Sequence, residues 1–196
     1  MLSKIERYKI YSSIYNEHTM SGYLELIVGP MFSGKTSYLI NTYKMHQTKE
    51  HSIKVINYSL DTRYDDKMLS SHDLVKIPCY FASKLEEEFE SCKKSDIILI
   101  NEGQFFPDLK ERVLELVETY HKQVYICGLD SDFKRHKFGE LLDLIPYCNK
   151  VTKLNANCEC GNSAIFSHRK VSSDEQVLIG SDNYQPLCRK CYNDKN

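Results

Sequence analysis

Residues 29–36 read GPMFSGKT, preceded by YLELIV at 23–28 and followed by SYLINTYKMHQ at 37–47. The octet fits G-x-x-x-x-G-K-[ST], the pattern of a loop that wraps phosphates. Gly29 and Gly34 admit backbone angles closed to other residues, so the loop through Pro30 can turn the main-chain N–H groups of Met31, Phe32 and Ser33 inward on phosphate oxygens. Lys35 adds a mobile positive charge for the outer phosphates, and Thr36 offers a hydroxyl to Mg²⁺. The helix that Thr36 opens points its positive dipole end at the same place. Context agrees with the motif: YLELIV predicts a buried strand, and Leu39, Ile40 and Tyr43 share one face of a following helix. Strand, loop and helix in that order predict nucleoside triphosphate binding and leave the acceptor open.

Working outward, the chain has 196 residues, enough for one main core and a small appended module. Lys plus Arg number 26 against 27 Asp plus Glu, a balance that points away from nucleic acid and anionic membrane and toward small solutes. No apolar run reaches the ~20 residues needed to span a bilayer, and no secretory signal opens the chain, so the expectation is a cytoplasmic protein. Of its 8 cysteines, Cys158, Cys160, Cys188 and Cys191 crowd near the end, which in a reducing compartment favours a metal site over disulfides.

The other apolar runs extend the first unit. IKVINY at 53–58, IILI at 97–100 and VYIC at 124–127 predict strands, the second too continuously apolar for anything but the middle of a parallel sheet. Residues 81–93 read as a helix with Glu86, Glu87 and Glu88 on its solvated face, and 61–73 as a polar loop at the sheet's carboxyl edge. After Pro107, Leu109, Val113, Leu116, Val117 and Tyr120 repeat at helical spacing. Alternating strands and helices predict an α/β domain with a mainly parallel sheet that binds ligands at its strands' carboxyl ends. Ile5, Tyr8, Tyr11 and Tyr15 near the start fit a weak helix or an arm equally well.

A second chemical site follows IILI, where Asn101-Glu102-Gly103-Gln104-Phe105-Phe106-Pro107-Asp108 sets a carboxylate across the crevice from the phosphates. Taken together, GPMFSGKT, DTRY at 61–64, EGQFFPD at 102–108 and the paired cysteines resemble the cellular and poxvirus type of thymidine kinase over residues 22–192. The resemblance implies a P-loop NTPase-like α/β domain at 22–150, a zinc-binding lasso domain at 151–196 and an N-terminal extension at 1–21. It implies ATP with Mg²⁺, phosphoryl transfer to the 5′-hydroxyl of thymidine, and Glu102 as proton acceptor. On the ATP side it adds Asp61, Arg63 and Gln104 to residues 29–36. Asn101 stands where the family usually has aspartate; it accepts a hydrogen bond but brings no charge, which shifts electrostatic support of the metal toward Asp61.

For the nucleoside, the same resemblance implies a pocket lined by Met31, Phe105, Leu129, Phe133 and Phe138, with Ser167 where threonine is usual. A covering loop carries Gln176, Val177, Leu178, Ile179, Gly180 and Tyr184. The basic cluster Lys134, Arg135, His136, Lys137 fits either a phosphate attractor or solvated surface. Cys188 and Cys191 have a zinc-knuckle gap, whereas Cys158 and Cys160 are one residue closer than the family pattern, which demands a tighter hairpin or a substitute such as His168. The resemblance further implies a homotetramer and feedback inhibition by thymidine triphosphate. Two other classes stay in view: a nucleotide-switched ATPase or GTPase, and a nucleic-acid-binding zinc ribbon, which lacks a basic stripe.

Overall fold

The computed structural model describes residues 21–47, 51–59, 68–70, 75–173, 175–178 and 180–195. Its main sheet joins the apolar runs as parallel neighbours: β1 (Tyr23–Val28), β2 (Ile53–Tyr58), β6 (Ile97–Ile100) and β7 (Gln123–Gly128). Two further strands, β5 (Tyr80–Ala82) and β8 (Lys150–Lys153), form its edges in the order β5-β2-β6-β7-β1-β8. β1 lies against β7 with Tyr23 opposite Gln123 and Val28 opposite Gly128.

Parallel strands must bury both faces, and the alternation shows how. Ile98 and Ile100 pack with Leu24, Leu26 and Leu109, while Ile97 and Leu99 pack with Leu39, Ile40 and Val55. The second layer includes helix α1 (Lys35–Gln47). The first includes α2 (Phe89–Lys93) and α3 (Leu109–Leu114), which runs on through a π-helical turn at Glu115–Thr119.

Two sequence expectations need correction. Residues 81–93 are not one helix: Tyr80–Ala82 extends along β2, and a 3₁₀ turn at Leu85–Glu88 precedes α2. The glutamates there are also engaged, since Glu87 accepts the Ser83 hydroxyl and Glu88 pairs with the buried Lys54 at 2.6 Å. The stretch 61–73 is not all loop, because β3 (Met68–Ser70) pairs antiparallel with β4 (Lys76–Pro78), burying Leu69 beside Ile77. The early aromatic stripe at Ile5, Tyr8, Tyr11 and Tyr15 lies outside the described residues.

Beyond the edge strand the chain builds a small second module. Hairpin-like pairs β9 (Ala156–Asn157) with β10 (Ser163–Ala164) and β11 (Phe166–Arg169) with β12 (Tyr184–Leu187) precede helix α4 (Arg189–Lys195). Its core is small: Ala156, Cys158, Ala164, Leu187, Cys188 and Tyr192. Among the described residues no helix is long and apolar enough to cross a membrane.

Candidate active site

The loop between β1 and α1 takes the shape its glycines allow. Gly34 sits at φ +82°, and a side chain at Gly29 would run into the carbonyl of Leu154. Phe32 also adopts a positive φ, 64°, which costs energy in a residue with a Cβ. The Lys35 ammonium donates to the Pro30 carbonyl at 2.6 Å, inside the ring of main chain where phosphates would enter. The Met31 N–H donates to Ser167 Oγ at 2.9 Å, which ties this loop directly to the second module.

Below the loop lies a buried neutral network. Asn101, 2% exposed, accepts from the Cys127 thiol at 2.9 Å and from the Thr36 hydroxyl at 3.5 Å, and donates to Asn57 Oδ1 at 2.8 Å. Thr36 and Asn101 thus present oxygens side by side, the donor type that Mg²⁺ accepts alongside phosphate and water. Next in sequence, Glu102 is held in the left-handed region at φ 56°, ψ 42°. Such strain at a non-glycine residue typically costs ~1–3 kcal/mol and persists where the surroundings enforce it. Here Phe105 N–H donates to the Glu102 carbonyl at 3.1 Å in the turn that follows, and Gln104 holds the side chain. Its amide donates to Glu102 Oε2 at 2.7 Å and its oxygen accepts from Leu129 N–H at 3.0 Å. Gly103, Gly128 and Gly139 make room, since a side chain at Gly128 or Gly139 would strike Gln104 itself.

These groups open on one cavity of about 770 Å³. Its floor is the loop from Met31 to Thr36, with Glu102 beside it. Phe105, Leu129, Phe133 and Phe138 form the walls, and Ser167, Gln176, Val177, Leu178, Gly180 and Tyr184 the roof. Phe105 stacks on Tyr58 at 5.0 Å and meets Phe138 edge-on at 5.2 Å, so the three rings form one contiguous aromatic wall of the cavity against which a planar ring can lie. Gly29, Pro30 and Gln104 stand behind this lining; Asp61, Arg63 and Ile179 lie outside the described residues. The basic cluster 134–137 does not line the cavity: Lys137 pairs with Asp143, and Arg135 lies over the Tyr192 ring.

The roof is held by one buried cation. The Arg169 guanidinium covers the Phe133 ring at 3.7 Å and donates to the carbonyls of Ser173 (3.2 Å), Glu175 and Gln176 (3.0 Å) and to Tyr184 Oη at 2.6 Å. Tyr184 in turn donates to the Leu178 carbonyl at 3.1 Å. Sequence reasoning missed Arg169, because a basic residue in a polar segment carries no signal of burial. It also missed Tyr58 and Asp132, although Tyr58, as the last residue of a strand, stood at the edge where ligands bind.

Farther out, the Sγ atoms of Cys158, Cys160, Cys188 and Cys191 all lie within 4.8 Å of one another, Cys160 and Cys188 being 3.7 Å apart. Zinc–sulfur bonds of ~2.3 Å in a tetrahedron put sulfurs ~3.8 Å apart, so the cluster is of a size and donor set that fits zinc. The short first gap is met by a tight turn: Cys158 N–H donates to the Asn162 carbonyl, Gly161 N–H donates to that of Cys158, and Gly161 takes φ +84°. His168 is not needed as a ligand and packs edge-on against Tyr192.

A thymidine kinase family model matches residues 22–192. Thymidine kinase a of Arabidopsis thaliana is 40% identical over 183 residues, covering 90% of this chain and 77% of the relative. The thymidine kinase of Sheeppox virus (strain KS-1) is 40% identical over 173 residues, 87% of this chain and 97% of its own. Thymidine kinase 1 of Dictyostelium discoideum is 41% identical over 180 residues, 89% and 79% respectively. Among solved structures, AMPPCP-bound DnaA from Aquifex aeolicus covers 79% of this chain and 48% of its own at 13% identity, with a TM-score of 0.44, too distant to bear on function.

Proposed function

This chain belongs to the thymidine kinase family, and from that premise we propose that it transfers the γ-phosphoryl group of ATP to the 5′-hydroxyl of thymidine. The observation that carries the proposal is that the phosphate-binding loop, Glu102 and an aromatic wall line one and the same cavity.

In this reading the loop 29–36 cradles the donor's phosphates with the N–H groups from Phe32 to Thr36, and Lys35 leaves the Pro30 carbonyl to meet them. Mg²⁺, when bound, neutralises charge on the phosphates; Thr36 and Asn101 are the oxygens placed to hold it or its water. Asp61 and Arg63 complete the donor side. Glu102 accepts the proton of the attacking hydroxyl. Gln104 keeps that carboxylate aimed, a task suited to a strained residue that would otherwise relax. The aromatic wall of Tyr58, Phe105 and Phe138 lies along one side of the base, and the roof from Gln176 to Tyr184 covers it with main-chain groups. Ser167 Oγ accepts from Met31 N–H and keeps its own O–H to donate; thymidine and deoxyuridine differ by one methyl, worth ~1–3 kcal/mol, so both nucleosides are substrates. Zinc on the four thiolates is structural. The family resemblance extends the proposal to a cytoplasmic homotetramer inhibited by thymidine triphosphate.

The test is ATP turnover against a panel of nucleosides. Thymidine phosphorylation is expected, and Glu102→Gln should lower kcat by ~10²–10⁴ while leaving nucleotide binding intact. ATP hydrolysis that thymidine does not stimulate would sink the proposal, and a Glu102→Gln enzyme with half the original kcat would remove Glu102 from its role.

A further inference from the structure

We propose that Asp132 is a positioning residue that latches the covering loop shut over the nucleoside through Gln176; this rests on the reading of the cavity as the thymidine site.

Asp132 lies in the turn after β7 and is 6% exposed, a costly place for a carboxylate unless every oxygen is met. Its two oxygens do different work. Oδ1 accepts the N–H groups of Lys134 (2.9 Å) and His136 (2.8 Å), which shapes the turn that carries Phe133 into the cavity wall. For that purpose an asparagine or serine would serve as well. Oδ2 is surplus to the turn. It accepts Gln176 Nε2 at 3.0 Å, with the His136 ring nitrogen farther off at 3.8 Å. Gln176 belongs to the roof, and its carbonyl is held from the other side by Arg169 at 3.0 Å. One residue of the roof is therefore gripped from both bodies: by a buried cation of the second module and by a buried anion of the α/β domain.

The consequence is directional. Opening the roof breaks the Gln176 bond and leaves Oδ2 to be rehydrated, so closure is favoured by a charge-assisted hydrogen bond that neither ATP nor thymidine makes. Weakening it should raise the KM for thymidine and leave the KM for ATP, whose loop lies on the cavity floor.

Gln176→Glu puts a second carboxylate against Asp132. The expected result is a rise of about 10-fold in thymidine KM, the scale of one lost charge-assisted bond, with ATP KM within twofold, together with faster amide exchange over 175–178. Adding Asp132→Asn restores a donor–acceptor pair with the order reversed, and thymidine KM and exchange should return to within about threefold of the starting protein. Equal losses for both substrates, unchanged exchange in Gln176→Glu, or no rescue by Asp132→Asn would overturn the latch. The exchange measurement needs no substrate, so a protein that phosphorylates no thymidine yet shows loosening and rescue would reject the activity and keep the latch.

Discussion

The α/β domain and the cysteine module hold themselves together by different means. The domain buries uninterrupted apolar strands on both faces, with Ile97, Ile98, Leu99 and Ile100 all fully enclosed. The module's core includes Ala156, Ala164, Leu187 and Tyr192, and two of its other members, Cys158 and Cys188, are metal-type ligands. A core that small cannot offset the entropy of ordering its loops. The body built on the sheet therefore carries the phosphate loop and Glu102, while the body built around the four thiols carries the roof. Closure over the nucleoside is placed in the part whose stability is most easily changed.

Removing one thiolate tests this most severely. Cys188→Ser should abolish stoichiometric zinc, forfeiting binding worth ~10 kcal/mol or more, and unfold the module. Thymidine KM should rise by more than ~10-fold while the large domain keeps its own thermal transition and its affinity for ATP. A single transition lost as a whole, or a thymidine KM that does not move, would show that the two regions are not separable in the way described.

The converse change strikes the domain. Ile98→Ala opens a cavity in a strand buried on both faces and should lower unfolding free energy by ~2–5 kcal/mol, read from the denaturant midpoint. Zinc content should stay stoichiometric. Loss of less than about 1 kcal/mol would mean that the sheet relaxes around the gap, contrary to the close packing inferred for it.

The same contrast explains what could be read from the sequence. The central strands and α1 were legible because continuous apolar runs and a glycine-lysine loop are local signals, and Glu102 followed from its place after IILI. β5 and β8 were not: each is an edge strand whose pattern is polar or short, Lys150–Lys153 reading KVTK, and each owes its conformation to a neighbour. In the candidate site, residues carried by a motif were legible and many of them line the cavity, whereas those that hold other residues, Arg169, Asp132 and Gln104 in its role behind Glu102, were missed or placed elsewhere. Their partners lie far apart in the chain, and no periodicity marks such pairs.

The mildest test concerns the seam between the two regions. The Tyr192 hydroxyl donates to the Phe133 carbonyl at 2.6 Å, while its ring packs on Phe166 within the module core. Tyr192→Phe keeps the ring and deletes only the bond, so the module should fold and hold zinc as before. A neutral hydrogen bond of this kind contributes ~0.5–1.5 kcal/mol. If that energy serves docking of the module onto the turn that carries Phe133, thymidine KM should rise about threefold with kcat unchanged. A fall in zinc content with no change in KM would instead assign the hydroxyl to the module's own stability, and the seam would then be held by Arg169 and Ser167 without it.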